Sequence, residues 1–181
     1  MSYHHLAIAT RDMKATHEFY SSAMGFELVR AEKAQMPGGD WAKHFFYDTG
    51  NGEMMAFWEL HLDEIADDFP TSISTGLGLP EWTNHIAFGA DSLDDLGTRR
   101  QRLLDAGHGV TEIDHNWCTS IYAMDPNGIL VEFCVSTASF TQEDREYALA
   151  AVNSDEMKDE PPPIVNRYEP EGAEVAQTAP L

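Results

Sequence analysis

The chain has 181 residues and a net charge of −20, with 31 acidic and 11 basic side chains. A chain of this length can bury most of its apolar surface within one domain. Its charge argues against binding to nucleic acid or anionic membranes, since both need a cationic surface. With two cysteines, no recognisable secretory segment and no run of 18 apolar residues, the sequence predicts a soluble cytoplasmic protein with reduced thiols.

The first predicted element is a short strand that begins at His5 and leads into a helix. The strand reads H-L-A-I-A-T, and Asp12 supplies an N-cap signal for the helix, which ends at Gly25. Three stretches with strand composition follow, namely F-E-L-V-R, K-H-F-F-Y-D-T and E-M-M-A-F-W-E-L. This order predicts a βαβββ module over about residues 3–62.

A second module repeats the first. A strand begins at His85, Ser92 supplies the N-cap signal with Asp95 three residues on, and the helix ends at Gly107. The strands that follow are G-V-T-E-I, C-T-S-I-Y-A-M and I-L-V-E-F-C, which places the module at about residues 82–136. A duplicated half that cannot close its own sheet normally pairs with its twin, and functional groups then gather between the two.

The stretch from Ile113 to Glu132 carries the densest set of chemical groups. It reads I-D-H-N-W-C-T-S-I-Y-A-M-D-P-N-G-I-L-V-E. Asp-Pro-Asn-Gly is a strong turn signal between two strands, so His115, Tyr122 and Glu132 lie on one hairpin. Burying Glu132 in so apolar a strand is costly unless the carboxylate is paired or binds a cation. Glu132 is therefore a candidate metal ligand.

The repeat supplies the other candidate ligands. His5 and His85 lead the first strand of each module, and Glu59 and Glu132 lie on the last strand of each. Duplication predicts that all four side chains face one cavity, related by a pseudo-twofold axis. Two imidazoles with one or two carboxylates suit Fe(II), Mn(II), Ni(II), Co(II) or Zn(II).

These residues resemble the vicinal oxygen chelate superfamily, which includes glyoxalase I, bleomycin-binding proteins and type I extradiol ring-cleaving dioxygenases. The resemblance covers about residues 3–136, and the stretch 113–132 matches the extradiol dioxygenase signature. It implies an α+β fold in which paired βαβββ modules form a curved, half-open mixed β-sheet barrel with the helices outside. It also implies a metal held by His5, His85 and Glu132, with His115 and Tyr122 flanking the substrate.

The function implied by this resemblance is an extradiol-type dioxygenase that uses O₂ to cleave a catechol- or hydroquinone-like diol. Fe(II) is the first choice of metal, ahead of Mn(II). One alternative is a glyoxalase-I-like lyase or isomerase that uses Glu59 as a fourth ligand, with Ni(II), Zn(II) or Co(II). Another is a ligand-sequestering protein without catalysis. The substrate is a small molecule in each case, and a homo-oligomer is expected. The cavity closes within one chain or across a dimer.

Residues 141–181 follow the proposed domain of about residues 1–140. Thr141 and the residues after it predict a capped helix to about Val152. The acidic, proline-rich tail beyond Asn153 has too little apolar surface to order itself, so we expect disorder. The alternative is that Ile164, Val165 and Tyr168 attach the tail to the core or to a second subunit.

Overall fold

The computed structural model describes residues 3–155 and 157–172. The first module contains a strand, a helix that continues as a π-helical turn, and three further strands. In chain order these are β1 (His5–Thr10), α1 (Met13–Glu18), the π-helical turn (Phe19–Ala23), β2 (Glu27–Gln35), β3 (Trp41–Gly50) and β4 (Glu53–His61). Short 3₁₀ turns occur at Pro37–Gly39 and, in the connection to the second module, at Thr75–Leu77.

The second module repeats this order and is followed by a C-terminal extension. Its elements are β5 (His85–Gly89), α2 (Leu93–Asp105), β6 (Val110–Asp114), β7 (Cys118–Met124) and β8 (Leu130–Ser136). The extension adds α3 (Gln142–Ala151) and β9 (Ile164–Tyr168). The α+β fold with two βαβββ modules, predicted from the repeat, is confirmed.

The helix boundaries follow from the capping residues that the sequence offers. Asp12 accepts a hydrogen bond from the backbone N–H of Ala15 at 2.9 Å, and Ser92 accepts one from Asp95 at 3.1 Å. These bonds satisfy backbone donors that lack a partner within the first turn of a helix. Gly107 follows α2 with φ near +87°, a conformation that glycine adopts without a steric penalty.

The strands form two mixed sheets, and neither sheet is closed. The first has the order β1-β4-β3-β2 and the second has the order β5-β8-β7-β6-β9. In each module the first strand pairs in parallel with the last, and the other pairs are antiparallel. β1 and β5 are therefore edge strands, each with one side that no described strand covers.

Each sheet has a helix face and an open face. The open faces carry His5 and Ala7 in the first sheet and His85 and Ala87 in the second, and these residues are exposed. The helix faces are buried against the helices, and Phe57 and Phe133 are among the fully buried side chains there. The open faces hold His5, His85 and Glu132.

The two modules of the chain pack through their helix sides. Tyr20, in the π-helical turn, is fully buried and donates a hydrogen bond to Asp125 Oδ2 at 3.1 Å. Phe26 contacts Phe88, with 4.9 Å between ring centroids. Asp125 also accepts the backbone N–H of Ile129, so the Asp-Pro-Asn-Gly turn of the signature holds the module interface. This packing leaves the open-face residues of β1 and β5 exposed.

The C-terminal extension corrects one expectation from composition. The capped helix is confirmed, because Thr141 and Asp144 form a reciprocal capping box. The expected disorder is wrong for residues 164–168, which form β9 and pair with β6 from Asp114↔Ile164 to Val110↔Tyr168, so the alternative that the tail attaches to the core is the one observed. Among the described residues, no helix is long and apolar enough to cross a membrane.

Candidate metal centre

His85 and Glu132 form the central pair of the candidate site. In the parallel pairing of β5 and β8, Glu132 lies opposite Ala87, one alternation beyond His85 on the same face. His85 Nε2 lies 3.1 Å from Glu132 Oε2. The glutamate side chain is nearly buried at 7% exposure, whereas the imidazole keeps 37%. The pair is thus anchored in the sheet and open on the imidazole side.

The neighbours of this pair fix its hydrogen bonding. His85 Nδ1 lies 3.0 Å from the carbonyl oxygen of Trp82, and a carbonyl only accepts, so Nδ1 carries the proton. In the neutral ring Nε2 then carries a lone pair and no proton, and this nitrogen faces the carboxylate of Glu132. The other carboxylate oxygen accepts a 2.5 Å hydrogen bond from Ser120. A cation between Nε2 and Oε2, either a proton or a metal ion, is needed to make this contact favourable.

His5 takes the corresponding place on the other sheet. It lies on the edge strand β1, and its Nδ1 is 2.8 Å from Nδ1 of His4. Its ring contacts Phe46 at 5.6 Å and His44 at 6.4 Å between centroids. The imidazole is exposed, so a ligand or a second molecule can reach it.

The structure does not bring all the predicted ligands together. Within the part of the chain that it describes, no three His, Cys, Asp or Glu side chains lie close enough to hold a metal ion. His85 and Glu132 meet, while His5 lies on the other sheet. The expectation that four ligands converge is therefore wrong for the single chain, because the two sheets pack through their helix faces.

Glu59 also departs from its predicted place. Glu59 lies opposite Thr10, and Thr10 comes five residues after His5 on β1. Glu132 lies opposite a residue that comes only two residues after His85 on β5. The odd separation puts Glu59 on the helix face. The residue that matches Glu132 in the first sheet is Ala56, opposite Ala7. The expectation that Glu59 faces the cavity of His5 is wrong.

Glu59 has other partners on that face. Lys43 Nζ and His61 Nε2 each lie 2.7 Å from its Oε1 and donate to it. Burial acts to raise the pKa of Glu59, but the hydrogen bonds and charges of Lys43 and His61 outweigh it and lower the pKa. One oxygen of the carboxylate is thus engaged in an ion-pair cluster.

His115 and Tyr122 meet as the hairpin predicts. His115 Nε2 lies 3.0 Å from Tyr122 Oη, and Tyr122 is the direct cross-strand neighbour of Glu132. Burial raises the pKa of Tyr122 to about 12, and the charge of Glu132 acts in the same direction. The phenol therefore stays protonated at neutral pH and can donate a hydrogen bond. The ring centroids of Tyr122 and His85 are 6.2 Å apart, so the His115 and Tyr122 pair borders the candidate metal centre.

Two further side chains belong to the open faces. Ser120, which hydrogen-bonds Glu132, could be found from the sequence, since it alternates onto the face of Tyr122. His44 is buried beside His5 and stacks on Trp58 with 3.7 Å between ring centroids. No hydrogen-bond partner for its Nε2 is found in the described residues. Only packing shows that His44 belongs to this face, because alternation alone does not say which face is open.

The paired βαβββ modules place the chain among the vicinal oxygen chelate folds. Residues 2–133 match the family model described as the Glyoxalase/Bleomycin resistance protein/Dioxygenase superfamily. The chain therefore belongs to this superfamily. No curated protein sequence matches it.

Solved structures share the same fold at low identity. A glyoxylase/bleomycin resistance protein/dioxygenase domain from Frankia sp. EAN1pec is 17% identical, with a TM-score of 0.57, covering 75% of this chain and 98% of that one. The protein SMU.1112c is 21% identical, with a TM-score of 0.53 and the same coverages. A lactoylglutathione lyase from Agrobacterium tumefaciens is 19% identical, with a TM-score of 0.48, covering 74% and 92%. At such identities the likeness to the first two structures shows the fold alone.

Proposed function

We propose that this protein is a metal-dependent dioxygenase of the extradiol type, which uses O₂ to cleave the ring of a catechol- or hydroquinone-like diol. The observation that carries the proposal is the hydrogen bonding of His85. Its Nδ1–H is committed to the carbonyl of Trp82, so Nε2 is the nitrogen that faces a carboxylate, which Ser120 orients. A histidine and a carboxylate that are each oriented by an outer hydrogen bond are the usual surroundings of a bound metal.

The metal in this proposal is held by His5, His85 and Glu132. Two imidazoles and one carboxylate suit Fe(II) first, and Mn(II), Ni(II), Co(II) and Zn(II) remain candidates. When bound, the metal supplies positive charge that lowers the pKa of the diol hydroxyls and leaves positions open for the diol and O₂.

A second copy of the chain completes the site in this proposal. His5 of one protomer joins His85 and Glu132 of another, and twofold symmetry then gives two equivalent sites. Three observations support the arrangement: β1 and β5 are both edge strands, their ligand-bearing faces are exposed, and the helix faces are already used for packing within the chain. Exposed strand edges are usually covered or paired in native proteins.

Tyr122 and His115 act as the proton-handling pair. Tyr122 Oη donates a hydrogen bond to the oxygen of the bound diol, and His115 Nε2 exchanges a proton with that Oη over 3.0 Å. The high pKa of the phenol keeps Tyr122 protonated before and after the transfer. Tyr122 can pass its own proton to His115, in the β6–β7 connection, while it takes one from the diol at the open face. His44 adds a neutral imidazole on the opposite sheet.

The lyase alternative depends on Glu59 as a fourth ligand, and the position of Glu59 on the helix face takes away its support. The sequestering alternative needs no oriented ligands, whereas His85 and Glu132 are both oriented. Two free thiols, Cys118 and Cys134, are consistent with a cytoplasmic location in this proposal.

O₂ uptake tests the proposal directly. We expect the purified protein with Fe(II) to consume O₂ stoichiometrically with a catechol and to form a yellow ring-opened product. Isomerisation of a hemithioacetal with Ni(II) or Zn(II), without O₂ uptake, would support the lyase instead. Stoichiometric diol binding without turnover under any of these metals would support the sequestering protein.

A further inference from the structure

We infer that the C-terminal extension builds a binding site for an uncharged, apolar arm of the substrate, next to His115. This inference rests on the proposed function and names the substrate class: diols that carry an alkyl or aryl substituent. The extension starts beyond the residues that match the superfamily model, which end at 133. It is therefore a feature of this chain that the shared fold does not explain.

The extension is anchored on both sides of the β6–β7 connection. On one side β9 pairs with all five residues of β6, and Asn116 Nδ2 donates a 3.1 Å hydrogen bond to the carbonyl of Pro161. On the other side the carbonyl of Trp117 accepts hydrogen bonds from Thr137 and Ala138 at 2.9 and 3.1 Å. The connection between β6 and β7 is thus held between the start and the end of the extension.

Side-chain contacts hold the extension further. Tyr168 on β9 lies under the guanidinium of Arg100, 4.3 Å from ring centroid to Cζ. Arg100 also forms an ion pair with Glu112 on β6. The Oη of Tyr147 on α3 accepts the backbone N–H of Lys158 at 2.7 Å, which ties the helix to the chain segment that leads to β9.

Between these anchors lies a cavity of about 790 Å³ that is open to solvent on one side, the C-terminal cavity. Its volume falls within the range of about 300–1,000 Å³ that is typical of small-molecule sites. Its lining combines polar and small side chains with six aromatic or proline residues, which are His115, Trp117, Phe140, Tyr147, Pro161 and Pro163.

Two large aromatic side chains in this cavity are exposed. Trp117 is 45% and Phe140 57% exposed, although their ring centroids are only 5.2 Å apart. Exposed apolar surface that is gathered in a concave site marks a binding surface, whereas scattered exposed residues need no explanation. The pair offers an apolar wall to a substrate group.

The charges at the cavity favour an uncharged arm. Asp144 and Glu160 contribute two carboxylates, and Arg145 is the one Lys or Arg among the described lining residues. Arg145 Nη1 already donates to the carbonyl of Thr141 at 2.9 Å. With a net charge of −20 over the whole chain as well, the cavity repels a carboxylate.

His115 connects the C-terminal cavity to the candidate metal centre. It lines the cavity, and its Nε2 lies 3.0 Å from Tyr122 on the open face. In this proposal, the substituent of a diol that is hydrogen-bonded to Tyr122 passes His115 and enters the cavity, where it meets Trp117 and Phe140.

Calorimetric titration of the full-length protein under anaerobic conditions tests the inference with catechol, 4-butylcatechol and 3,4-dihydroxybenzoate. Each buried methylene strengthens binding about fourfold, so we expect 4-butylcatechol to bind at least about tenfold more tightly than catechol. Phe140→Ala should reduce that preference to about threefold or less while leaving catechol binding unchanged. Leu149→Ala is the matched control, because Leu149 lies on α3 with 75% exposure and outside the cavity.

Equal affinities for catechol and 4-butylcatechol, tighter binding of 3,4-dihydroxybenzoate, or equal losses in Phe140→Ala and Leu149→Ala would each overturn the inference. A second pair of probes, phenol and 4-butylphenol, carries the arm without the diol. Phe140-dependent binding of 4-butylphenol with no O₂ uptake on any diol would support the C-terminal cavity as a binding site and contradict the dioxygenase activity. Diol cleavage with the same kcat/KM for both catechols would support the dioxygenase and contradict the role of the C-terminal cavity.

Discussion

His85 and Glu132 lie 3.1 Å apart through Nε2 and Oε2, although the other nitrogen of the imidazole already donates to a backbone carbonyl. A neutral imidazole nitrogen and a carboxylate attract each other only through a cation, either a proton or a metal ion. The carboxylate cannot turn away freely, because Ser120 holds its second oxygen and the side chain is nearly buried. This contact makes the second sheet a half-site that a metal can occupy.

Removing the carboxylate should therefore remove metal binding. We expect Glu132→Gln to weaken Fe(II) or Mn(II) binding by at least about 100-fold, and Ser120→Ala by about 10- to 100-fold through loss of the orienting hydrogen bond. Anaerobic metal titration checks both values. Glu59→Gln is the matched control, because it changes a glutamate of the helix face that is bound to Lys43 and His61. A loss of metal in Glu59→Gln comparable to that in Glu132→Gln would restore the lyase alternative.

The face of a residue within a strand could be read from the sequence, but the alignment between strands could not. Alternation correctly put Tyr122 and Ser120 on one face, since it depends only on the strand itself. Glu59 and Glu132 both lie on the last strand of a module, yet their register against the first strand differs by three residues. That register depends on turns and bulges, such as the irregularity between Asp48 and Gly50, and a shift by an odd number reverses the face.

Composition did not predict the C-terminal strand β9, for a related reason. Composition indicates how much apolar surface a segment can bury, whereas β9 is held largely by backbone pairing with the edge of β6. The partners of Tyr168, which are Arg100 and Glu112, lie more than 50 residues earlier in the chain. The capped helix α3 was readable because a capping box is a local signal.

Mixing two inactive variants tests whether the site lies between protomers. His5→Ala and Glu132→Ala should each be inactive alone. If His5 of one protomer serves the Glu132 of the other, a mixed dimer keeps one intact site, and random exchange should restore about a quarter of the wild-type activity. Oxygen uptake after unfolding and refolding the variants together measures this fraction.

The control for that mixture is His5→Ala combined with His5→Ala,Glu132→Ala, which cannot form an intact site in either arrangement. Recovery there would indicate contamination rather than complementation. No recovery in the first mixture, despite a mixed dimer confirmed by native mass spectrometry, would place all the ligands in one chain and contradict the dimeric site.

The His115 and Tyr122 pair should be needed for turnover and not for metal binding. We expect His115→Ala and Tyr122→Phe to retain the metal and to lower kcat by about 10²- to 10⁴-fold, as loss of a proton-transfer group does. Tyr122→Phe keeps the ring and removes only the hydroxyl at 3.0 Å from His115. Stopped-flow mixing with O₂ separates this loss from diol binding. Wild-type turnover in His115→Ala would remove the residue from the mechanism.

The buried imidazole of His44 should make the fold sensitive to acid. Burial lowers the pKa of His44, and the charge of Glu32 only partly opposes that effect. Below the usual histidine pKa of about 6.5, the unfolded chain takes up a proton that the folded chain rejects, so the free energy of unfolding falls as pH decreases. The contribution of neutral His44 to the free energy of unfolding is complete above pH about 6.5 and is lost as the pH falls through the lowered pKa of the folded state.

His44→Phe keeps the stacking on Trp58 and removes the titrating group. Urea unfolding at pH 7.5 and 5.5 should therefore show a smaller loss of stability in the variant than in the wild type. An equal or larger loss in His44→Phe would mean that the folded protein protonates His44 readily, and that its Nε2 is not the isolated buried atom seen beside His5.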